Sequence, residues 1–215
     1  MLHKVSLLSP LPFNLRSLPG IPNTIYIKGS IKPSDTKAVA IIGSREMTSY
    51  GKKVAVNFSR TLARSGITVV SGLARGIDTV AHREALKSGG RTIAVLGSGL
   101  DIIYPPENIA LAGAIARRGA LISQFPPGTK PLGKNFLQRN CLISGLSLAV
   151  VVIEGKRQSG TLSTASYAAS QGREVFAVPG PVDSPLSQAP HFLIENGAAI
   201  AKSPKDVLDY IETII

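Results

Sequence analysis

Cysteine is nearly absent from this sequence, and long apolar runs are missing. Cys141 is the only cysteine among 215 residues, which excludes an internal disulfide and a thiolate-rich zinc site. The most apolar stretch, residues 146–153, is far shorter than the roughly 20 residues of a membrane helix. Pro10 and Pro12 interrupt the N-terminal apolar segment, so it does not resemble a signal peptide. We expect a soluble cytoplasmic protein with no membrane segment.

Acidic residues are scarce as well. Asp and Glu number 13, against 24 Lys and Arg, so the formal net charge is +11. This excess favours an anionic partner, whether nucleic acid, an anionic membrane surface or an acidic protein. Apolar residues still make up 44% of the chain. That share is enough for a packed core and excludes disorder, collagen and a coiled coil.

Short β-branched runs alternate with helical stretches along most of the chain. Predicted strands cover residues 37–42, 67–70, 92–96, 120–123, 148–153, 174–178 and 198–201. Predicted helices cover residues 50–65, 76–88, 107–118, 136–146, 160–171, 187–196 and 204–213. Most strand runs are apolar throughout, as in parallel strands that helices cover on both faces. The pattern predicts a doubly wound, mostly parallel α/β sheet in one extended Rossmann-like domain at residues 37–215.

Residues 1–36 differ in composition from the rest of the chain. They hold five prolines and one short candidate strand at residues 24–28. We expect them to form an N-terminal extension packed on the domain rather than a second core. The chain ends one helix after the last predicted strand, so we expect no appended C-terminal module.

Glycine and serine cluster directly after four of the predicted strands, at residues 43–45, 71–76, 97–99 and 159–161. In an open parallel sheet such loops share the carboxyl edge, where ligands bind at the reversal of strand order. Each loop leads into a helix N-terminus, whose free N–H groups favour an anion such as phosphate. Alternatively, these residues only form turns and cap helices. The candidate binding residues in these loops are Gly43, Ser44, Arg45, Ser71, Gly72, Arg75, Ser159, Gly160 and Thr161.

The same loops lack the usual nucleotide signatures. The first turn has no G-x-G-x-x-G, no acidic residue ends the second strand, and no G-x-x-x-x-G-K-[ST] loop occurs. Asp78 and His82 share one helix face but have no third metal ligand. Glu154 is the best acid near the crevice. It is either a general base or ribose ligand, or a partner of Lys156 or Arg157. We expect no cofactor, no metal and no catalytic residue.

Basic residues gather in loops or first helical turns near the carboxyl edge. This set is Arg45, Arg75, Lys130, Lys134, Arg139, Lys156 and Arg157. A row of cations beside N–H-rich loops suits a nucleic-acid strand more readily than a mononucleotide. Phe136 is either a stacking platform for an unpaired base or a core residue. No recognition-helix motif is present, so single-stranded nucleic acid fits better than duplex.

Several sequence blocks resemble the bacterial DNA-processing protein A family (DprA, also called Smf). The blocks are IIGSR (41–45), SGLARGIDTVAHREAL (71–86), VLGSGLDIIYPPEN (95–108), PPGTKPLGKNFLQRN (126–140), ISGLS (143–147), SGTLSTA (159–165) and GREVFAVPGP (172–181). The resemblance implies a Rossmann-like domain that binds single-stranded DNA without a nucleotide cofactor, usually as a dimer. It also implies delivery of the strand to the RecA recombinase during natural transformation. Carried over by motif, the strand-binding residues would be Gly43, Ser44, Arg45, Lys134, Phe136, Arg139 and Asn140.

The sequence departs from the family pattern at three places. Leu137 and Cys141 stand where the family usually has Pro and Arg, and Ala189, Pro190 and His191 replace a Gly-x-Asn triplet. We expect the missing Arg to weaken DNA binding. We also expect the helical domain before this one and the winged-helix domain after it, which many members carry, to be absent.

The leading hypothesis is a non-enzymatic, homodimeric protein that protects incoming single-stranded DNA and delivers it to RecA. The alternative is a nucleotide-processing hydrolase that uses Glu154 and the loop at residues 159–161. A third, weaker hypothesis is a scaffold that binds only a protein partner.

Overall fold

The computed structural model describes residues 6–7, 12–15, 18, 21–22 and 24–215, and within them nine strands form one sheet. The strands are β1 (Ser6–Leu7), β2 (Tyr26–Gly29), β3 (Ala38–Ile42), β4 (Thr68–Ser71), β5 (Thr92–Val95), β6 (Ala120–Ser123), β7 (Ala149–Val152), β8 (Glu174–Ala177) and β9 (Ala199–Ile200). The α-helices are α1 (Ser49–Arg64), α2 (Ile77–Lys87), α3 (Ile109–Arg118), α4 (Gly133–Gly145), α5 (Gly160–Ser170), α6 (Gln188–Glu195) and α7 (Pro204–Ile214). Every strand and helix predicted within residues 37–215 is present, with its ends shifted by three residues at most.

The sheet runs in the order β1-β2-β6-β5-β4-β3-β7-β8-β9. Strands β3 to β9 are parallel, whereas β2 is antiparallel to β6 and β1 to β2. The chain first winds outward from β3 to β6 and then returns to the other side of β3 as β7. The doubly wound, mostly parallel α/β fold is therefore confirmed. Its strand order reverses between β3 and β7, where an open sheet leaves a crevice at the carboxyl ends.

The central strand β3 is covered on both faces. Val39 and Ile41 belong to an apolar cluster that includes residues of α1 and α2. Ala40 and Ile42 belong to a second cluster, which includes residues of α4 and α5. Because side chains alternate along a strand, an apolar run of this kind needs a helical layer on each side.

Two helices start more than one residue away from the predicted position. Helix α4 begins at Gly133, three residues early, because the buried Asn135 donates its side-chain N–H to the Lys130 carbonyl at 3.1 Å and fixes the incoming loop. Helix α3 begins at Ile109, two residues late, because residues 106–108 form a 3-10 turn. The first shift places Lys134 in the first turn of α4.

The described N-terminal residues contribute to the same sheet and core. Strand β2 pairs with β6, and Leu15 and Ile25 are buried in the cluster that holds Ala40. The Asn14 side chain donates to the Leu146 carbonyl at 3.0 Å. Much of the predicted extension lies outside the described residues, and its separation from the domain at residue 36 stays a prediction. In the described part of the chain, no helix is both long and apolar enough to cross a membrane.

Asp35 joins the N-terminal segment to two strands. Its buried carboxylate accepts hydrogen bonds from Arg91 Nη2 at 2.8 Å, from the Lys32 N–H at 2.7 Å and from Thr68 Oγ1 at 2.7 Å. Burial alone would raise the pKa of Asp35. The hydrogen bonds and the charge of Arg91 outweigh burial and hold that pKa below its ordinary value.

We predict that Asp35→Asn lowers the free energy of unfolding by about 2 to 3 kcal/mol, because it leaves the partly buried Arg91 without its charge partner. The folded-state pKa lies below the unfolded-state value near 4. The stabilisation is therefore complete above that value and is lost as the pH falls through the folded-state pKa. Urea unfolding between about pH 7 and about pH 2 measures the effect, and the two proteins should converge at the acid end.

Asp209→Asn is the matched control, because the ion pair between Asp209 and Lys205 is exposed. We expect this variant to unfold at the wild-type urea concentration. An Asp35→Asn deficit that stays constant down to the lowest pH would contradict the assignment.

Candidate nucleic-acid interface

The carboxyl ends of β3 and β7 open onto one cavity of about 630 Å³, here called the crevice. The loop after β3, the start of α5 and one side of α4 line it. Of the thirteen predicted binding residues, those that line the crevice are Gly43, Ser44, Arg45, Phe136, Arg139, Asn140, Ser159, Gly160 and Thr161. The fold thus brings together three segments that are far apart in the sequence. Their role in binding a strand stays a prediction.

The loop after β3 packs closely against the start of α2. Gly76 has a φ of 71°, which favours glycine, and an added Cβ would overlap the Ser44 carbonyl oxygen. The Ile77 N–H donates to that same oxygen at 3.1 Å. This contact fixes the backbone of the loop while the Arg45 side chain stays exposed at the crevice.

The start of α5 supplies hydrogen-bond donors to the crevice. Ser159 Oγ is buried and has no hydrogen-bond partner among the residues that the structure describes. The first N–H groups of a helix such as α5, which begins at Gly160, have no acceptor within the helix, and the helix dipole favours an anion beside them. The Asn140 side chain donates to the Gly160 carbonyl at 3.2 Å and ties α4 to α5. A phosphate oxygen would satisfy this set of donors.

Phe136 is half-buried at the crevice between two guanidinium groups. Its ring centroid lies 5.4 Å from Arg45 Cζ and 5.8 Å from Arg139 Cζ. The Tyr104 ring lies 5.7 Å away and is tilted by 46°. An added Cβ at Gly97 would come within 2.6 Å of Phe136 Cδ1, so glycine is needed where the ring packs. Phe136 therefore both packs on the sheet edge and lines the crevice.

Arg139 lies beneath the crevice and is only 4% exposed. Its Nη1 donates to the Gly72 carbonyl at 2.7 Å and to the Val95 carbonyl. Burial lowers the pKa of Arg139 to about 10. Burial also raises the pKa of Asp78, although the charge of Arg139 and N–H donors from Ala74 and Gly72 oppose that rise. The opposite charges of Arg139 and Asp78 stabilise each other. The hydrogen bonds of Arg139 also join α4 to the ends of β4 and β5.

Two of the remaining predicted residues lie below the crevice. Ser71 is fully buried and donates its hydroxyl hydrogen to the Ile41 carbonyl at 2.7 Å. Gly72 leaves space for the Arg139 side chain, because an added Cβ would lie 2.5 Å from Arg139 Nη1. Both residues shape the site without lining it.

The other two are surface cations near the crevice but outside its lining. Arg75 forms an exposed ion pair with Glu107 at 2.5 Å, and its Cζ lies 5.8 Å from the Tyr104 ring centroid. Lys134 is exposed on the first turn of α4. The ring contacts of Phe136 come instead from Arg45, Arg139 and Tyr104.

Glu154 turns away from the crevice towards α1. Its Oε2 accepts the Thr48 N–H at 2.9 Å, and its Oε1 accepts the Thr48 hydroxyl hydrogen. Thr48 Oγ1 in turn accepts the Gly51 N–H at 3.0 Å and caps α1. Lys156 pairs instead with Glu46 at 3.5 Å. This geometry matches none of the roles expected for Glu154, whether base or ribose ligand in the crevice or ion-pair partner of Lys156 or Arg157.

The Asp78 and His82 side chains are buried and make hydrogen bonds inside the domain. His82 Nδ1 lies 2.6 Å from Thr92 Oγ1, and burial lowers the pKa of His82 to about 3. In the part of the chain that the structure describes, no group of three or more His, Cys, Asp or Glu side chains could hold a metal ion.

The sequence patterns do not single out Tyr104 or Gln158. Tyr104 contacts Phe136 across the loop after β5, and Gln158 lines the crevice. The available signal for Tyr104 was an aromatic residue beside two prolines in a loop at the carboxyl edge. Gln158 carries no signal beyond its position directly before the α5 cap.

We predict that Arg139→Leu lowers the free energy of unfolding by about 3 kcal/mol or more, because it leaves Asp78 buried without a charge partner. Lys134→Leu is the matched control on the same helix, since Lys134 is exposed and should tolerate the change. Urea unfolding of both variants at neutral pH measures the difference. Wild-type stability of Arg139→Leu would contradict a supporting role and return Arg139 to the ligand-contacting set.

Comparisons with known proteins agree on one family. The family profile of DNA recombination-mediator protein A matches residues 9–212. Protein Smf of Escherichia coli (strain K12) is 43% identical over 202 residues, which cover 94% of this chain and 54% of that protein. The structure of DNA processing protein A from Streptococcus pneumoniae matches with a TM-score of 0.90 and 38% identity, over 96% of this chain and 74% of that one. DNA processing protein A from Helicobacter pylori, which binds single-stranded DNA, matches with a TM-score of 0.88 and 31% identity, over 99% and 96% of the two chains.

The sequence match and the structural match both extend over nearly the whole chain, which confirms the resemblance seen in the sequence blocks. The chain spans about half to two thirds of the length of the curated relatives that it matches. It belongs to the DNA recombination-mediator protein A family, the DprA/Smf proteins.

Proposed function

We propose that this chain binds single-stranded DNA in the crevice and acts in the cytoplasm, without catalysis, to protect incoming DNA in natural transformation. The observation that carries this proposal is the grouping of Arg45, Phe136 and Ser159 Oγ around one cavity. A single DNA strand offers phosphates to the cation and the unpaired donors, and it offers unstacked bases to the ring. Binding on these terms needs no nucleotide cofactor.

Relatives support this assignment. The Helicobacter pylori protein binds single-stranded DNA and resembles this chain over nearly its full length. The predicted binding residues of this chain that follow from the family motif, except Lys134, line the crevice.

The alternative function, a nucleotide-processing hydrolase, has less support in the geometry. It relied on Glu154 as an acid in the crevice, and both carboxylate oxygens of Glu154 instead accept hydrogen bonds from Thr48. We therefore argue for strand binding as the function of this site.

We predict that Arg45→Ala weakens binding of a labelled oligothymidine by about tenfold or more, because a charge-assisted contact to phosphate is lost. Fluorescence anisotropy across a salt series measures the affinity. The slope of log K against log salt should become shallower by about 0.7, the share of one phosphate contact on a single strand. Unlabelled duplex of equal length should compete poorly.

Arg64→Ala is the matched control, because it removes the same charge from an exposed position in the last turn of α1, at the opposite edge of the sheet. We expect it to keep the wild-type affinity and slope. Equal losses in the two variants would mean that only net charge matters. Absence of oligothymidine binding by the wild type would overturn the proposed function.

The proposal extends to partners. The family resemblance implies a homodimer that delivers the strand to RecA. Strand β9 is the last strand on its side of the sheet among the described residues and exposes Ile200. Helix α7 ends at the exposed Ile214, which the exposed Ile215 follows. An apolar edge of this kind suits pairing between copies of the chain.

We predict a solution mass of twice the 22.5 kDa of one chain, measured by light scattering. We also predict faster RecA filament formation on single-stranded DNA when this protein is added, measured by a fluorescence change of labelled DNA. A 22.5 kDa species at all concentrations would rule out the dimer. An unchanged rate of filament formation would rule out delivery to RecA by this chain.

A further inference from the structure

A second cavity of about 610 Å³, here called the outer pocket, adjoins the crevice. Its lining comes from the loop after β7 and from helices α5 and α6, and consists of Lys156, Arg157, Gln158, Leu162, Gln188 and Phe192. Lys156 and Gln158 also line the crevice. The two cavities therefore lie side by side at one short loop.

The outer pocket repeats the chemistry of the crevice. Arg157 Cζ lies 4.5 Å from the centroid of the half-buried Phe192 ring, closer than either guanidinium lies to Phe136. The Arg157 N–H donates to Gln188 Oε1 at 3.4 Å, which holds the loop against α6. No Asp or Glu lines the outer pocket, and Arg157 has no ion pair within the described part of the chain.

We propose that the outer pocket binds a further nucleotide of the same DNA strand that occupies the crevice, with its base on Phe192 and its phosphate between Arg157 and Lys156. The inference rests on the proposed function. It gives Lys156 and Arg157 of the basic set a defined ligand, and it adds Phe192, which neither the sequence motifs nor the family pattern assign. It makes the binding site longer than the crevice alone.

Three features of the outer pocket favour a strand over a small free ligand. The pocket shares Lys156 and Gln158 with the crevice, so a strand bound in the crevice lies next to it. Its lining holds two cations and no Asp or Glu, and the ion pair of Lys156 with Glu46 is an exposed contact that a phosphate can replace. A guanidinium resting on an aromatic ring forms a flat platform, and base stacking on such a surface is independent of sequence.

Phe192 directly follows Ala189, Pro190 and His191 in helix α6, the triplet that departs from the family pattern. His191 Nε2 lies 3.0 Å from the Gly180 carbonyl oxygen, which anchors the start of α6 to the loop after β8. Ala189 is buried and donates its N–H to the Gly155 carbonyl at 2.9 Å. The triplet that departs from the family pattern therefore holds α6 against the loop that the two cavities share.

The test is oligothymidine binding as a function of length, measured by anisotropy with wild type, Phe192→Leu and Arg157→Gln. The shortest oligonucleotides that bind fill the crevice alone, so all three proteins should bind them equally. Longer oligonucleotides should bind wild type more tightly, and Phe192→Leu should lose about tenfold of that gain. For these longer strands, Arg157→Gln should flatten the salt slope by about 0.7.

Tyr167→Leu is the matched control, because Tyr167 is a half-buried aromatic residue of α5 outside both cavities. Leucine keeps an apolar side chain at each position while it removes the aromatic ring, and thermal unfolding checks that each variant is folded. A strand with 5-iodouracil at one defined position should also form a photo-crosslink to Phe192 only when the base lies at one end of the bound segment.

Each outcome decides the inference. Equal affinity of wild type and Phe192→Leu at every length, with Arg45→Ala still impaired, would overturn the outer pocket and leave the crevice as the binding site. An equal loss at every length would mean that Phe192 supports the fold rather than the strand, which also overturns the inference. Wild-type protein that binds no oligothymidine would overturn the proposed function itself.

Discussion

The structure depends on the reversal of strand order between β3 and β7. Parallel strands deliver their following loops to one edge, and only at this reversal do neighbouring loops lead to opposite faces of the sheet. The two halves are then joined beneath the crevice. Glu154, just after β7, accepts both hydrogen bonds from Thr48, which caps the helix that follows β3. An acid that looks functional in the sequence therefore holds the two edges of the crevice at a fixed separation.

Buried and exposed cations have separate tasks in this site. Arg139 is tied to two backbone carbonyls and balances Asp78, so moving it towards a ligand would leave a buried carboxylate unpaired. Arg45 and Lys156 are exposed and can follow a flexible strand. The crevice thus combines a fixed buried cation, Arg139, with exposed cations whose side chains can move. This division suits a ligand that is bound through phosphates and stacked bases rather than through one fixed geometry.

Much of the fold was predictable because its parallel strands are apolar throughout and its helices keep their own period. The carboxyl-edge rule then located the crevice, although it could not tell which way each side chain faces. Ser71 and Ser159 both lie at or after the end of a strand. The Ser71 hydroxyl donates its hydrogen to the Ile41 carbonyl, whereas Ser159 Oγ has no hydrogen-bond partner in the described residues. The earlier start of α4 matters in the same way. It places Lys134 on the exposed first turn of the helix, whereas Arg139 is held under the sheet edge by the Gly72 and Val95 carbonyls.

The departures from the family pattern carry a last consequence for the site. Cys141 is 6% exposed, its Sγ lies 3.3 Å from Gln171 Nε2, and it does not line the crevice. The expected weakening of DNA binding by the missing Arg at this position stays a prediction. Leu137, by contrast, is 51% exposed and lines the crevice beside Phe136. An apolar side chain there enlarges the apolar surface beside the ring, and in the proposed function this surface adds base contacts to the phosphate contacts of the cations.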